Sequence, residues 1–108
     1  MLEALRALAE PSRYRIVRLL ARGPCCTKLI AAEVGISSPA ASQHLRVLRD
    51  AGLVTGDRRG YFVHYRLERG AFEQLQRELQ AELWSILPEE AGNDRCCRRG
   101  EGGGDCGR

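Results

Sequence analysis

The chain has 108 residues, 44% of them hydrophobic and 29% charged, a composition typical of one small globular domain with a thin core rather than of a disordered chain. No apolar run is long enough to cross a bilayer, and Glu3 and Arg6 interrupt the region where a signal peptide needs its apolar segment, so we expect a cytoplasmic protein with no membrane partner. The net charge of +3 is uneven: residues 12–69 hold eleven basic residues against four acidic ones, which favours a polyanionic partner.

Leucine spacing and proline positions predict the first two helices. Leu2, Leu5 and Leu8 have helical spacing, and Pro11 interrupts that helix. A second helix starts at Pro11 and ends at Gly23. Its apolar residues repeat at three and four positions while its arginines lie on the other side, which predicts one core face and one cationic face.

Two short helices joined by a tight turn follow, in the segment TKLIAAEVGISSPAASQHLRVL. The third helix is predicted at about residues 26–34 and ends at Gly35. The fourth begins at Ser37 and Pro39 and runs to about Asp50. Together they have the pattern of a helix-turn-helix.

A hairpin and a long helix complete the predicted domain. The run LVTGDRRGYFVHYRL is rich in β-branched and aromatic residues on both sides of a turn at residues 57–60, which predicts a β-hairpin. The segment AFEQLQRELQAELWSIL predicts a helix that Pro88 ends. The fold class is therefore mainly α with a β-hairpin, a winged helix-turn-helix in residues 1–87. Residues 88–108, rich in glycine and cysteine, predict a flexible tail.

The predicted fourth helix has a polar face suited to a DNA groove. Ala41, Leu45 and Leu48 are expected to face the core, which directs the polar residues between them outward. Glutamine can pair with adenine and arginine with guanine, while arginines at the hairpin tip can reach phosphates or the minor groove. The predicted contacts with double-stranded DNA are Ser38, Ser42, Gln43, His44, Arg46, Arg58 and Arg59. The alternative is that these are solvated faces used for protein contacts, and His44 can equally be a hydrogen-bonding surface residue.

The apolar stripe of the last helix has two interpretations. It consists of Phe72, Leu75, Leu79, Leu83 and Ile86. The stripe can pack within the domain, or it can join the leucines of the first helix in a dimer interface. We favour a homodimer, because the core is thin and because helix-turn-helix proteins bind two DNA half-sites about one DNA turn apart. The periodicity of the stripe alone does not distinguish packing within the domain from packing in a dimer interface.

Three stretches resemble a known family. ALAEPSRYRIVRLL, ISSPAASQHLRVLRDAGLV and RRGYFVHYRL together resemble the ArsR (ArsR/SmtB-type) transcriptional repressors over residues 2 to about 87. The resemblance implies a homodimeric repressor whose first and last helices form the interface, and which binds operator DNA when empty and releases it when an inducer binds. It implies a regulator rather than an enzyme. A thiol enzyme is also disfavoured, since neither His44 nor His64 has a reason to lie near a cysteine.

The five cysteines supply the predicted inducer site, because in a reducing cytosol they are more often ligands or sensors than disulfides. Arsenic-responsive members of the family carry C-V-C-D-L in the third helix, whereas here Cys26 aligns with the first cysteine and Lys28 with the second. The last helix has no histidine for a zinc site. The tail instead offers three thiols, which suit the pyramidal coordination of As(III) or Sb(III). The predicted ligands are Cys96, Cys97 and Cys106, with Cys25 and Cys26 as the second choice.

Other regulatory interpretations stay open. Cys25 and Cys26 follow a Gly-Pro pair at a predicted helix start, where thiolates are favoured. A disulfide between one of them and a tail cysteine would make a redox or persulfide sensor. If the cysteines have no ligand, the protein binds DNA constitutively.

Overall fold

The computed structural model describes residues 1–90, which form five helices and three strands. The helices are α1 (Leu2–Leu8), α2 (Pro11–Leu20), α3 (Thr27–Val34), α4 (Ser38–Asp50) and α5 (Arg69–Ile86), and the strands are β1 (Cys25–Cys26), β2 (Val54–Arg59) and β3 (Phe62–Leu67). Helices α3 and α4 followed by the β2–β3 hairpin make a winged helix-turn-helix, as predicted. None of these helices is both long and apolar enough to cross a membrane.

Local sequence signals place the ends of the helices. The Glu10 carboxylate at the start of α2 accepts the backbone N–H of Arg13 at 2.9 Å, and this hydrogen bond lowers the pKa of Glu10. The hydroxyl of Ser37 accepts the N–H of Ala40 at 3.2 Å at the start of α4. Gly35 ends α3 with a φ of +81°, a left-handed conformation that glycine adopts without strain.

The sheet corrects one part of the sequence prediction. Its strands are antiparallel in the order β1-β3-β2, so the hairpin has a third, two-residue strand beside it. Cys25 lies opposite Tyr65, and Cys26 lies opposite His64. The third helix was predicted from about residue 26, but it begins at Thr27, because the extended backbone of the two cysteines pairs with β3.

The core lies among the first four helices and the inner face of the sheet. Its buried residues are Ala7, Ile16, Val17, Leu20, Cys25, Ile30, Ala31, Ala41, Leu45, Leu48, Leu53 and Val54. Ile36, in the turn between α3 and α4, is half-buried at the edge of this cluster. Helix α5 contributes no buried residue, and only Ala71 and Phe72 near its start pack against the core.

Candidate nucleic-acid interface

Helix α4 has the two faces that its sequence predicts. Ala41, Leu45 and Leu48 are completely buried, each with 0% of its surface exposed. The polar residues between them are directed outward because the helix repeats every 3.6 residues. Four of the predicted DNA-contacting residues of α4 are exposed, and these are Ser38, Ser42, Gln43 and Arg46.

His44 is turned toward α2 rather than toward solvent. Its Nδ1 lies 3.3 Å from a terminal guanidinium nitrogen of Arg13 and 3.9 Å from a carboxylate oxygen of Glu10. The Nε of Arg13 in turn donates to the backbone carbonyl of Ala7 at 2.7 Å. Arg13 therefore connects α1, the start of α2 and α4. This position favours a structural hydrogen-bonding role for His44, one of the two roles that its sequence allows.

The hairpin carries exposed basic and aromatic side chains at its tip. Arg58 and Arg59 are both exposed, and the Nε of Arg59 lies 3.7 Å from a carboxylate oxygen of Asp57. Such an exposed ion pair contributes little to stability, so it leaves the guanidinium group available. Tyr61, 96% exposed, follows in the turn, and the exposed Phe62 is the first residue of β3. Tyr61 is not among the DNA contacts predicted from the sequence, although a tyrosine hydroxyl can donate to a phosphate.

Helix α2 adds a cationic face, as its sequence predicts. Arg15 and Arg18 of α2 and Arg22, in the turn that follows the helix, are all exposed. They line a groove with Glu33 of α3, which is the one acidic residue among its lining residues. Positive side chains therefore occur on α2, on α4 and at the tip of the hairpin.

The two described cysteines lie on opposite faces of β1. Cys25 faces the core with 7% of its surface exposed, and burial raises the pKa of its thiol, with smaller contributions from Cys26 and Glu33. The expectation that the helix start lowers the pKa of both thiols is therefore wrong for Cys25. Cys26 is half-buried on the other face. The expectation that no histidine lies near a cysteine is also wrong, because His64 is the strand neighbour of Cys26.

Of the two predicted thiol sites, the structure describes only the second choice. Cys96, Cys97 and Cys106 lie outside the described residues, so that prediction stands as a prediction. Within residues 1–90, no three side chains of histidine, cysteine, aspartate or glutamate are arranged to hold one metal ion. Because Cys25 and Cys26 point to opposite faces, they do not present two thiols to one ion.

Within residues 1–90, no helix or strand covers the apolar surface at the far end of α5. Leu83, Trp84, Ile86 and Leu87 are all more than half exposed, with Trp84 at 68%. Together with Gln80 and Pro88 they line a shallow depression. Leu2 of α1 is also exposed. Contiguous apolar surface of this kind marks interaction sites in soluble proteins.

Comparisons with known proteins agree with this geometry. The model of the arsR family of bacterial regulatory proteins matches residues 10–55. The HTH-type transcriptional repressor SmtB of Mycobacterium tuberculosis is 45% identical over 65 residues, which are 60% of this chain and 48% of SmtB. The chain thus spans about half the length of that relative.

Two solved structures are similar over more of their length. A crystal structure described as a possible transcriptional regulator for arsenical resistance is 38% identical, with a TM-score of 0.69, covering 82% of this chain and 100% of the other. The homodimeric winged helix-turn-helix DNA-binding domain of a possible ArsR-family regulator from Mycobacterium bovis is 31% identical. Its TM-score is 0.62, and the match covers 75% of this chain and 77% of the other.

Proposed function

The chain belongs to the arsR family of bacterial regulatory proteins, and on that premise we propose that it is a transcriptional repressor that binds operator DNA as a homodimer. The proposal depends on one observation, the exposed polar face of α4. Its residues Ser38, Ser42, Gln43 and Arg46 are all exposed, while completely buried residues fix the opposite side of the same helix in the core. A helix anchored in this way can enter a major groove without rearrangement.

Each exposed side chain has a role that its chemistry supports. Gln43 can pair with adenine and Arg46 with guanine, because their donors and acceptors match those base edges. The hydroxyls of Ser38 and Ser42 suit phosphate or base contacts near the start of α4. Arg58 and Arg59 suit phosphates or the minor groove beside the hairpin. His44 has no part in this set, since its ring faces Arg13 and Glu10.

The proposed homodimer uses α1 and α5. Its support is that α5 has no buried residue in the single chain and ends in exposed leucine, isoleucine and tryptophan side chains. The similar Mycobacterium bovis domain is described as homodimeric. Two copies related by a two-fold axis would present two α4 helices to successive major grooves.

We further propose that As(III) or Sb(III) is the inducer, held by thiolates of Cys96, Cys97 and Cys106. A trivalent ion of this kind needs three sulfurs, and the described part of the chain does not fit, because Cys25 and Cys26 face opposite sides of β1. The likeness to a possible regulator of arsenical resistance supports the ion class. In this proposal, ligand binding lowers operator affinity by a coupling free energy of about 1–3 kcal/mol.

Selection from a pool of random duplex DNA tests both whether the protein binds a specific DNA sequence and which of its residues contact that DNA. We expect the wild-type protein to enrich an inverted repeat. Gln43→Ala is expected to relax the base preference at one position per half-site, costing about 1–3 kcal/mol of discrimination. Replacing Arg58 and Arg59 by alanine is expected to reduce the slope of log affinity against log salt by about 0.9 for each lost phosphate contact. Arg77→Ala, which removes one positive charge from α5 outside the proposed interface, is the control, and a reduction there equal to half of that for the double variant would contradict the proposed interface.

Fluorescence anisotropy on the enriched duplex tests the inducer. Arsenite is expected to release DNA from the wild-type protein but not from Cys96→Ser, with Cys25→Ala behaving as wild type. Equal release from Cys96→Ser would exclude the tail site. Release by peroxide or persulfide but not by arsenite would replace the arsenic proposal with a redox sensor, and no release by any of them would indicate a constitutive DNA-binding protein.

A further inference from the structure

Strand β1 gives Cys26 a histidine as its nearest cross-strand neighbour. Cys26 on β1 lies directly opposite His64 on the antiparallel strand β3. Directly opposite residues point to the same face of a sheet, with Cβ atoms about 4.5–5.5 Å apart. The neighbouring pair, Cys25 and Tyr65, points to the other face, where Cys25 is buried in the core. A single thiol and a single imidazole therefore share the outer face of the sheet.

The imidazole of His64 has an unused ring nitrogen. Its Nδ1 is buried from solvent and has no hydrogen-bond partner within residues 1–90. Buried polar atoms normally have a partner, and an exception calls for an explanation such as an ion. A neutral imidazole nitrogen is a common metal ligand. The unpartnered nitrogen and the half-buried thiol of Cys26, the residue paired with His64, are thus two ligating groups outside the proposed DNA-binding and inducer sites.

We propose that Cys26 and His64 form a two-ligand site for a soft monovalent metal ion of the Cu(I) class. Thiolates select soft ions, and both thiolate and imidazole suit copper. Directly opposed residues with Cβ atoms about 4.5–5.5 Å apart can place a thiolate sulfur and an imidazole nitrogen on two sides of one small ion. Binding needs no oxidant, because the ion replaces the thiol proton of Cys26, which passes to solvent, while His64 binds as the neutral ring.

The strand geometry disfavours zinc at this position. Zinc normally takes four ligands. The carboxylate in the same row belongs to Asp57, which lies opposite His64 on β2. Strands β1 and β2 are separated by β3, hence by two strand spacings of about 4.8 Å each, so one ion cannot reach both Cys26 and Asp57. The absence of a three-ligand group from residues 1–90 agrees with this geometry and leaves two-coordination.

The site joins two parts of the fold. Cys26 is the N-cap residue that immediately precedes α3, and His64 lies in the middle of β3. An ion held between them fixes the first helix of the helix-turn-helix against the hairpin. The proposal concerns metal binding alone, so it stands or fails independently of operator binding and of the arsenic site.

A Cu(I) titration of the full chain tests the site. Cys96, Cys97 and Cys106 are all replaced by serine, so that their thiols do not compete for the ion. Under anaerobic conditions, with bicinchoninate as the chromophoric competitor, this background is expected to bind one Cu(I) per chain. Cys26→Ser is expected to abolish binding and His64→Gln to weaken it at least tenfold. Cys25→Ala is the matched control and is expected to keep the affinity.

Three results of the titrations would overturn the proposal. The first is that the background does not bind Cu(I). The second is that Cys25→Ala loses affinity as Cys26→Ser does while His64→Gln keeps it, which would indicate a dithiol site. The third is zinc binding as tight as Cu(I) that also depends on Asp57. Circular dichroism checks the fold of each variant. Nitrogen-15 NMR of His64 in the background on adding Ag(I) gives a readout without further substitution, and an unchanged Nδ1 resonance would exclude the imidazole ligand.

Discussion

Arg13 is the residue at which three helices meet. Its Nε donates to the carbonyl of Ala7 at the end of α1, its backbone N–H donates to Glu10, and its terminal nitrogen lies beside His44 of α4. A planar guanidinium can serve two separated acceptors at fixed angles, whereas a lysine ammonium is a point charge. Arg13 therefore positions α4 relative to α1, although it lies outside the proposed DNA-contacting set.

Arg13→Ala is expected to lower the free energy of unfolding by about 2 kcal/mol, because hydrogen bonds from a charged donor are lost and the carbonyl of Ala7 loses its partner. Arg13→Lys is expected to recover less than half of that loss. Urea denaturation monitored by circular dichroism measures both. Arg15→Ala, at an exposed arginine of the same helix, is the control and is expected to stay within about 0.5 kcal/mol of wild type. Equal losses at the two positions would show that the contacts of Arg13 do not stabilise the fold.

The buried thiol of Cys25 predicts a specific loss of stability at alkaline pH. Burial raises the pKa of Cys25 in the folded state above that of the unfolded chain. The buried neutral thiol therefore contributes its full share of the free energy of unfolding below the unfolded pKa of about 8.5. That contribution is lost as the pH rises toward the pKa of Cys25 in the folded state. We expect the difference in unfolding free energy between wild type and Cys25→Ala to shrink above about pH 8.5. Urea denaturation at several pH values under reducing conditions measures it, and a constant difference would contradict the pKa shift.

At the scale of elements, the β2–β3 hairpin depends on one glycine. Gly56 lies opposite Tyr65, and a Cβ added there would lie 2.9 Å from Cε1 of Tyr65 and 3.3 Å from Cγ1 of Val63. The Tyr65 ring packs against the core, so it cannot move away freely. Glycine thus leaves room for an aromatic ring across the strand pair.

Gly56→Ala is expected to destabilise the protein by about 1 kcal/mol through overpacking against Tyr65. Gly70→Ala is the matched control, because a Cβ at Gly70 in α5 meets no atom within 4 Å and alanine favours a helix. That control is expected to be neutral or stabilising. Urea denaturation compares the two substitutions, and a neutral Gly56→Ala would mean that the ring of Tyr65 relocates at little cost.

Local signals predict most elements of this fold, and long-range pairing explains the main miss. The caps at Ser37 and Gly35 and the β-branched and aromatic residues on both sides of the hairpin turn are encoded within a few residues, so helices and hairpin follow from the sequence. Strand β1 has two residues, too few for any periodicity, and it exists because Cys26 pairs with His64 almost forty residues later. The contact between Arg13 and His44 was missed for the same reason. Outward residues of α4 were predictable because its core positions are strongly apolar.

At the scale of the whole molecule, the described part of a single chain leaves the apolar stripe of α5 partly exposed. In a helix that packs within its own domain, the apolar stripe would be covered, yet Leu83 and Ile86 are exposed and no residue of α5 is buried. A second copy that covers this surface would bury the stripe and supply apolar contact that a small core lacks. The two-fold axis would also set the spacing of the two α4 helices, so DNA binding and dimerisation should be lost together.

Leu83→Lys tests this dependence, because the side chain is 53% exposed in the single chain and a charge there costs the monomer little. In a dimer the same charge would be buried without a partner, so we expect the dimer dissociation constant to rise at least tenfold, or about 1.4 kcal/mol. Ala81→Lys, an exposed position on the opposite side of α5, is the control and is expected to leave the dimer intact. Sedimentation equilibrium measures both. A wild-type monomer at tens of micromolar, or equal weakening by both lysines, would exclude the α5 stripe as the interface.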